Sequence, residues 1–235
     1  MSLVTVHVAE VVSATPRSRL LCLNLQGHTL GFKPGQAVMA AAHGREDRRP
    51  YSIACSPERA SETGRIELLV ALDSGASSAH LTRVAAGAAI DVEGPFGHFT
   101  FPDTAAAERL LFVAGGTGIA PLRAMLDHAL RRGLTGISLL YSARRSDEFA
   151  FIDELRQHAR SGRLELHQTV TRDESTSWEG ARGRIGRAHF DSVLHAPAST
   201  LCFVCGPPPL VTESVATLSA LGVPGALIRT EQWGK

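Results

Sequence analysis

The segment V-A-G-G-T-G-I-A-P, residues 113–121, carries the strongest chemical signal in the chain. It follows an apolar, strand-like run and opens a helical one. Glycines at such a turn let the backbone come close to a pyrophosphate and leave amides pointing at it, and the helix N-terminus adds partial positive charge. Pro121 suits the first helical turn, where no amide is required. The spacing differs from G-x-G-x-x-G, so a plain tight turn stays open as the reading of these residues alone.

Three further segments could act with it. Arg49-Pro50-Tyr51-Ser52 opens a strand and holds one of only two tyrosines. A Tyr flanked by Arg and Ser can stack on a flat ring, bind a phosphate and donate a hydrogen bond, although by itself it reads first as an edge-strand Tyr beside a surface Arg. Gly75-Ala76-Ser77-Ser78 precedes a helical stretch, where glycine and serine suit a phosphate or simply an N-cap. Cys205-Gly206-Pro207-Pro208-Pro209 follows the last long apolar strand, and there a polarisable thiol could touch a ring or be a buried structural Cys before a rigid turn.

The elements that must position these segments fall into two halves. In the first hundred residues, short runs rich in Val, Ile and Leu (residues 3–12, 19–26, 37–42, 51–56, 66–72 and 89–94) alternate with Gly, Pro, Asp and Ser turns. That pattern predicts an antiparallel β-barrel or sandwich interrupted by one helical stretch at about 77–85. After Asp103 the rhythm changes to alternating strands and helices. Strands are expected at 109–115, 136–143, 164–170, 200–206 and 226–233. Helices are expected at 121–132, 150–160, 185–193 and 209–222, with a surface loop over 173–183. This is the pattern of an α/β Rossmann-like parallel sheet covered by helices. Two domains are therefore expected, 1–103 and 104–235.

Composition narrows the function classes. The chain has 235 residues, 44% hydrophobic and 20% charged, with net charge +1. That is ordinary for a globular protein and offers no global attraction to nucleic acid or an anionic membrane. No apolar run reaches the roughly 18 residues of a spanning helix, and the start reads as a strand rather than a signal peptide, so the expected location is cytoplasmic. Cys22, Cys55, Cys202 and Cys205 lack iron–sulfur spacing. Cys202 and Cys205 are three apart in a strand, on opposite faces. The ten histidines show no H-x-x-H or H-E-x-x-H spacing, and no G-x-S-x-G elbow supports serine hydrolysis, so no metal site is expected.

R-P-Y-S, G-x-x-S, G-P-F-G, G-G-T-G-I-A-P and C-G-P-P-P occur in that order, and together they resemble the ferredoxin–NADP reductase superfamily, especially its oxygenase-reductase and flavohaemoglobin-reductase branches. The resemblance spans about residue 3 to residue 235. It implies an N-terminal flavin-binding barrel and a C-terminal NAD(P)-binding domain. It places Arg49, with Pro50, on a flavin phosphate, Tyr51 against the isoalloxazine ring, and Ser52 on the ring nitrogen that accepts the hydride. Gly75, Ala76, Ser77 and Ser78 match the segment that holds the flavin pyrophosphate. Gly115, Gly116, Thr117, Gly118 and Pro121 match the nicotinamide-nucleotide loop. Cys205, Gly206 and Pro207 match the segment beside the nicotinamide, and Glu231 and Trp233 are candidates for an acid and an aromatic near the flavin. Tyr51, Ser52, Cys205 and Glu231 would take part in catalysis.

The resemblance implies FAD, with FMN as the alternative, and NADPH or NADH. An acid at the end of the second Rossmann strand would pair with a ribose diol, while an Arg suits an extra phosphate. Ser142, Arg144 and Arg172 lean towards NADPH. The implied activity is hydride transfer from NAD(P)H to FAD, then single electrons to a separate acceptor: a ferredoxin, a flavodoxin or an oxygenase component. Direct reduction of free flavin or ferric chelates, and a non-catalytic electron-relay subunit, are the competing readings.

Overall fold

Alternation of apolar and polar residues from the start of the chain builds β1 (Ser2–Thr15), a strand long enough to pair with two neighbours. The computed structural model describes residues 2–72, 79–103 and 108–232. It divides into two compact units: Met1–Phe101 with Arg123–Ala129, and Pro102–Leu122 with Leu130–Lys235.

In the first unit β1 is joined by β2 (Ser18–Asn24), β3 (Ala37–Ala42), β4 (Arg49–Ser52), β5 (Arg65–Ala71) and β6 (Ala89–Phe96). All pairings are antiparallel, in the order β4-β3-β6-β1-β2-β5. The two edges meet where Ile53 bridges Leu68 and the Ala54 amide donates to the Glu67 carbonyl at 2.8 Å. That closes the sheet into the expected barrel and leaves no long open edge. Val6, Leu23, Val38, Ile66, Leu68, Ile90 and Val92 fill its interior.

The strand expected over 51–56 ends at Ser52, with only an isolated bridge at Ile53 beyond it, and a helix follows that the composition did not announce. This is α1 (Pro57–Thr63). Its cause is local: the Ser56 hydroxyl accepts the Arg59 amide at 3.1 Å, Pro57 takes the first position, and Gly64 ends the helix at φ 66°. Of the helical stretch expected at 77–85, the structure describes α2 (Ala79–Thr82); residues 77 and 78 lie outside the described residues.

The second unit contains β7 (Arg109–Gly115), the two ends of α3 (Ile119–Arg131), whose middle stretch Arg123–Ala129 belongs to the first unit, β8 (Ile137–Ala143), α4 (Ile152–Arg160), β9 (Glu165–Val170), β10 (Ala181–Arg182), α5 (Arg187–Val193), β11 (Thr200–Gly206), α6 (Pro208–Ala220) and β12 (Ile228–Gln232). Its strands pair in parallel, in the order β10-β9-β8-β7-β11-β12. β8 and β11 are buried along their whole length, which explains their nearly unbroken apolar sequences. The order of strands reverses between β7 and β11, so the carboxyl ends of those two strands flank the switch point of the sheet. The loop expected over 173–183 contains β10. It is folded around Arg182, whose guanidinium donates to the carbonyls of Asp173, Ser175 and Trp178.

Candidate functional site

Four of the segments singled out by sequence gather at the carboxyl edge of the second unit's sheet. Gly115 ends β7, the Ser142–Arg144 stretch ends β8, Arg172 follows β9, and Gly206 ends β11. Ser142 pairs with Gly115, and the Arg172 amide donates to the Arg144 carbonyl at 2.8 Å, so the two arginines leave neighbouring strands side by side. Both arginines are exposed, whereas Ser142 is buried. On the far side of the segment after Arg172, Asp173 accepts the Ser146 amide at 2.7 Å and the Ser175 amide at 2.8 Å, tying the two loops together.

At the switch point, backbone approaches backbone. A Cβ on Gly115 would stand 2.9 Å from Leu210 Cδ1 and 3.0 Å from Pro207 Cδ, and one on Gly206 would stand 3.2 Å from Gly115 Cα. A Cβ on Gly118 would overlap the Cys205 carbonyl. Glycines at 115, 118 and 206 therefore let the two turns pack this closely, and a single helical turn over Gly116–Gly118 runs straight into α3. Such a cradle, formed from glycine backbone at a helix start, matches what a pyrophosphate requires. Pro207, Pro208 and Pro209 spend no amides at the start of α6, where none is needed.

Cys205 and Glu231 face each other in register on β11 and β12. Cys205 is wholly buried. Burial pushes the Glu231 carboxyl up to about 7, because a charged carboxylate loses hydration there.

In the first unit, β4 is an edge strand whose Pro50 is exposed and needs no ladder bond. Tyr51 pairs with Val38 and packs on the barrel core, while Arg49 is exposed. The Tyr51 hydroxyl is buried and has no hydrogen-bond partner among the described residues. A buried hydroxyl left unpaired costs about 1–3 kcal/mol, so this atom fits a site completed by a polar ligand atom. Burial also raises the Tyr51 phenol, with Arg49 pulling the other way. Ser52 lies next to it, half-buried. Gly75, Ala76, Ser77, Ser78 and Trp233 lie outside the described residues.

Two residues that sequence reasoning did not single out serve these segments. Arg123, almost wholly buried, donates to the Ala54 carbonyl at 2.8 Å, two residues beyond Ser52, and pairs with Glu67. Tyr141, in β8, donates from its hydroxyl to the Gly116 carbonyl at 3.2 Å. Their sequence signals were a charged residue two positions after Pro121 and a tyrosine in an otherwise apolar run.

The comparisons with known proteins agree with this geometry. Residues 4–101 match the oxidoreductase FAD-binding domain and residues 112–215 the oxidoreductase NAD-binding domain. The chain is 34% identical over 219 residues to "Ferredoxin--NADP reductase B" of Sorangium cellulosum (strain So ce56), covering 88% of this chain and 87% of that one. It is 28% identical over 219 residues to "Phenol 2-monooxygenase, reductase component DmpP" of Pseudomonas sp. (strain CF600), covering 90% of this chain and 60% of that one. Among solved structures, "Ferredoxin reductase in carbazole 1,9a-dioxygenase" superposes with a TM-score of 0.85 at 25% identity, over 99% of this chain and 70% of that one. Two domains of this kind, in this order, define a flavin- and nicotinamide-dependent oxidoreductase. The chain belongs to the ferredoxin–NADP reductase family, and its cofactors are FAD and NAD(P)H.

Proposed function

We propose that the protein draws electrons from NAD(P)H and delivers them one at a time to a separate acceptor protein: a ferredoxin, a flavodoxin or an oxygenase component. The observation that carries this reading is the pairing of a barrel whose Tyr51 hydroxyl lacks a partner among the described residues with a glycine cradle at a sheet switch point. FAD, when bound, supplies the exchange between two-electron and one-electron chemistry that side chains cannot perform. Arg49 and Pro50 hold a flavin phosphate, together with Gly75, Ala76, Ser77 and Ser78. Tyr51 would stack against the ring and donate its hydroxyl, which lacks a partner among the described residues. Ser52 would donate a hydrogen bond to the ring nitrogen, and Arg123 keeps the segment beyond it in place through Ala54. Trp233 would be the aromatic near the flavin.

On the nucleotide side, Gly115, Gly116, Thr117, Gly118 and Pro121 form the phosphate turn, and Gly206 and Pro207 let it sit close to β11. Cys205 would lie beside the nicotinamide, and Glu231 would be the acid near the flavin, able to hold or release a proton near neutral pH. Ser142, Arg144 and Arg172 receive the adenosine end, and the two guanidiniums favour the extra phosphate of NADPH. The acceptor assignment draws on the relatives named ferredoxin reductase and oxygenase reductase component. The discriminating experiment is the rate of NADPH-dependent reduction of ferredoxin and flavodoxin against free FMN and ferric citrate. Faster turnover with the protein carriers supports the reading; faster turnover with the small acceptors replaces it with a flavin or ferric-chelate reductase.

A further inference from the structure

We propose that Tyr141 is a positioning residue for the nicotinamide nucleotide: its hydroxyl fixes the Gly116 peptide so that the amide of Thr117 is presented to the dinucleotide phosphates. The proposal rests on the reading that the turn over Gly116–Gly118 receives those phosphates.

Tyr141 is fully buried in β8. Its hydroxyl is used twice. It donates to the Gly116 carbonyl at 3.2 Å and accepts the Ala150 amide at 3.1 Å. The Gly116 carbonyl also accepts the Ile119 amide, which begins α3. Gly116 sits at φ 54°, in the left-handed region, where a residue with a side chain is strained. Across a trans peptide the C=O and the next N–H point in opposite directions. A carbonyl bonded to the phenol therefore turns the Thr117 amide to the opposite side, away from Tyr141. Burial raises the phenol further, so it remains a neutral donor at any working pH.

The ring is held as well as the hydroxyl. Phe149 meets it edge-on, with centroids 4.9 Å apart and planes at 77°, and Trp178 stacks on Phe149 at 5.5 Å. Ala150 follows the segment that begins at Arg144. One hydroxyl thus ties the phosphate turn to the stretch leading away from the candidate adenosine site. A phenylalanine at 141 would keep the ring contacts and release both ties.

The test is Tyr141→Phe in the FAD-loaded protein, with Gly118→Ala measured in parallel. Dissociation constants for NADP⁺ and for ADP-ribose, which carries the pyrophosphate without nicotinamide, are read from flavin absorbance changes or by calorimetry. The limiting rate of flavin reduction and the thermal midpoint are recorded too. Loss of one positioning hydrogen bond predicts that both ligands weaken by about three- to tenfold, with flavin content unchanged and the limiting rate within about twofold. Unchanged dissociation constants in Tyr141→Phe overturn the proposal, including the case where only the thermal midpoint falls. If Gly118→Ala weakens binding and Tyr141→Phe does not, the tyrosine's role fails alone. If neither does, the assignment of the turn fails as well.

Discussion

Gly118 lies so close to the carbonyl oxygen of Cys205 that a methyl group in place of its hydrogen would overlap that oxygen. The contact joins the first turn of the second unit to the end of its fourth long strand, at the switch point of the sheet. Its tightness is backbone against backbone, so no side-chain rotation can relieve it.

Gly118→Ala is therefore expected to push the two turns apart. Overpacking of this kind costs about 1–3 kcal/mol, and here the cost falls on the nucleotide cradle. NAD(P)H should bind about tenfold more weakly or worse, while the barrel keeps its FAD. Calorimetric titration with NADP⁺ and a flavin content measurement check both halves.

Tyr51→Phe separates the loaded and empty proteins by sign. The Tyr51 hydroxyl is buried without a partner among the described residues, so removing it should leave the apoprotein as stable as before or up to about 1 kcal/mol more stable. The same change should weaken FAD by about fivefold or more, because the flavin loses a hydrogen bond. Apoprotein thermal midpoints and FAD titrations by fluorescence give the two numbers. An apoprotein that loses stability would show that the hydroxyl already has a protein partner.

Much of the architecture was legible because burial on both faces writes itself into composition. β7 and β11 begin and end where their apolar runs do. α1 was not read, although Ser56, Pro57 and Gly64 form a complete set of stop and start signals, because the buried residues Ile53, Ala54 and Cys55 carry the apolar run of β4 past its last paired residue. The site was legible where local sequence does the work, as in the glycine turn. It was not legible where partners are distant: Tyr141 lies 25 positions from Gly116, and Arg123 lies 69 from Ala54. No spacing rule joins such pairs, since the fold alone brings them together.

Glu231 gives a pH dependence with a definite direction. Its carboxyl ordinarily titrates at 4.5 and is raised by burial to about 7 in the folded protein. Between those values the folded state holds a proton that the unfolded chain has released, so stability falls as pH rises through that window. Glu231→Gln lacks the group. The thermal midpoint of the variant minus that of the parent should grow from about pH 4.5 to about pH 7 and level off above it. A difference independent of pH would mean that the carboxyl is not desolvated.

Arg144 and Arg172 leave adjacent strands joined by a 2.8 Å backbone bond. If they receive the additional phosphate of NADPH, replacing each with Ala should lower kcat/KM for NADPH by about tenfold, in line with the loss of a charge-assisted bond. NADH should change by less than about twofold. Steady-state kinetics with both nucleotides decide it, and equal losses for the two would assign the arginines to a group the nucleotides share.

The central claim is that one chain binds a flavin and reduces it with a nicotinamide nucleotide. Anaerobic titration of the purified, FAD-supplemented protein with NADPH and with NADH, followed by visible absorbance, tests it directly. The expected result is a bound flavin whose absorbance bleaches stoichiometrically with at least one of the two nucleotides. A protein that takes up no flavin from excess FAD, or whose bound flavin stays oxidised under both nucleotides, would contradict it.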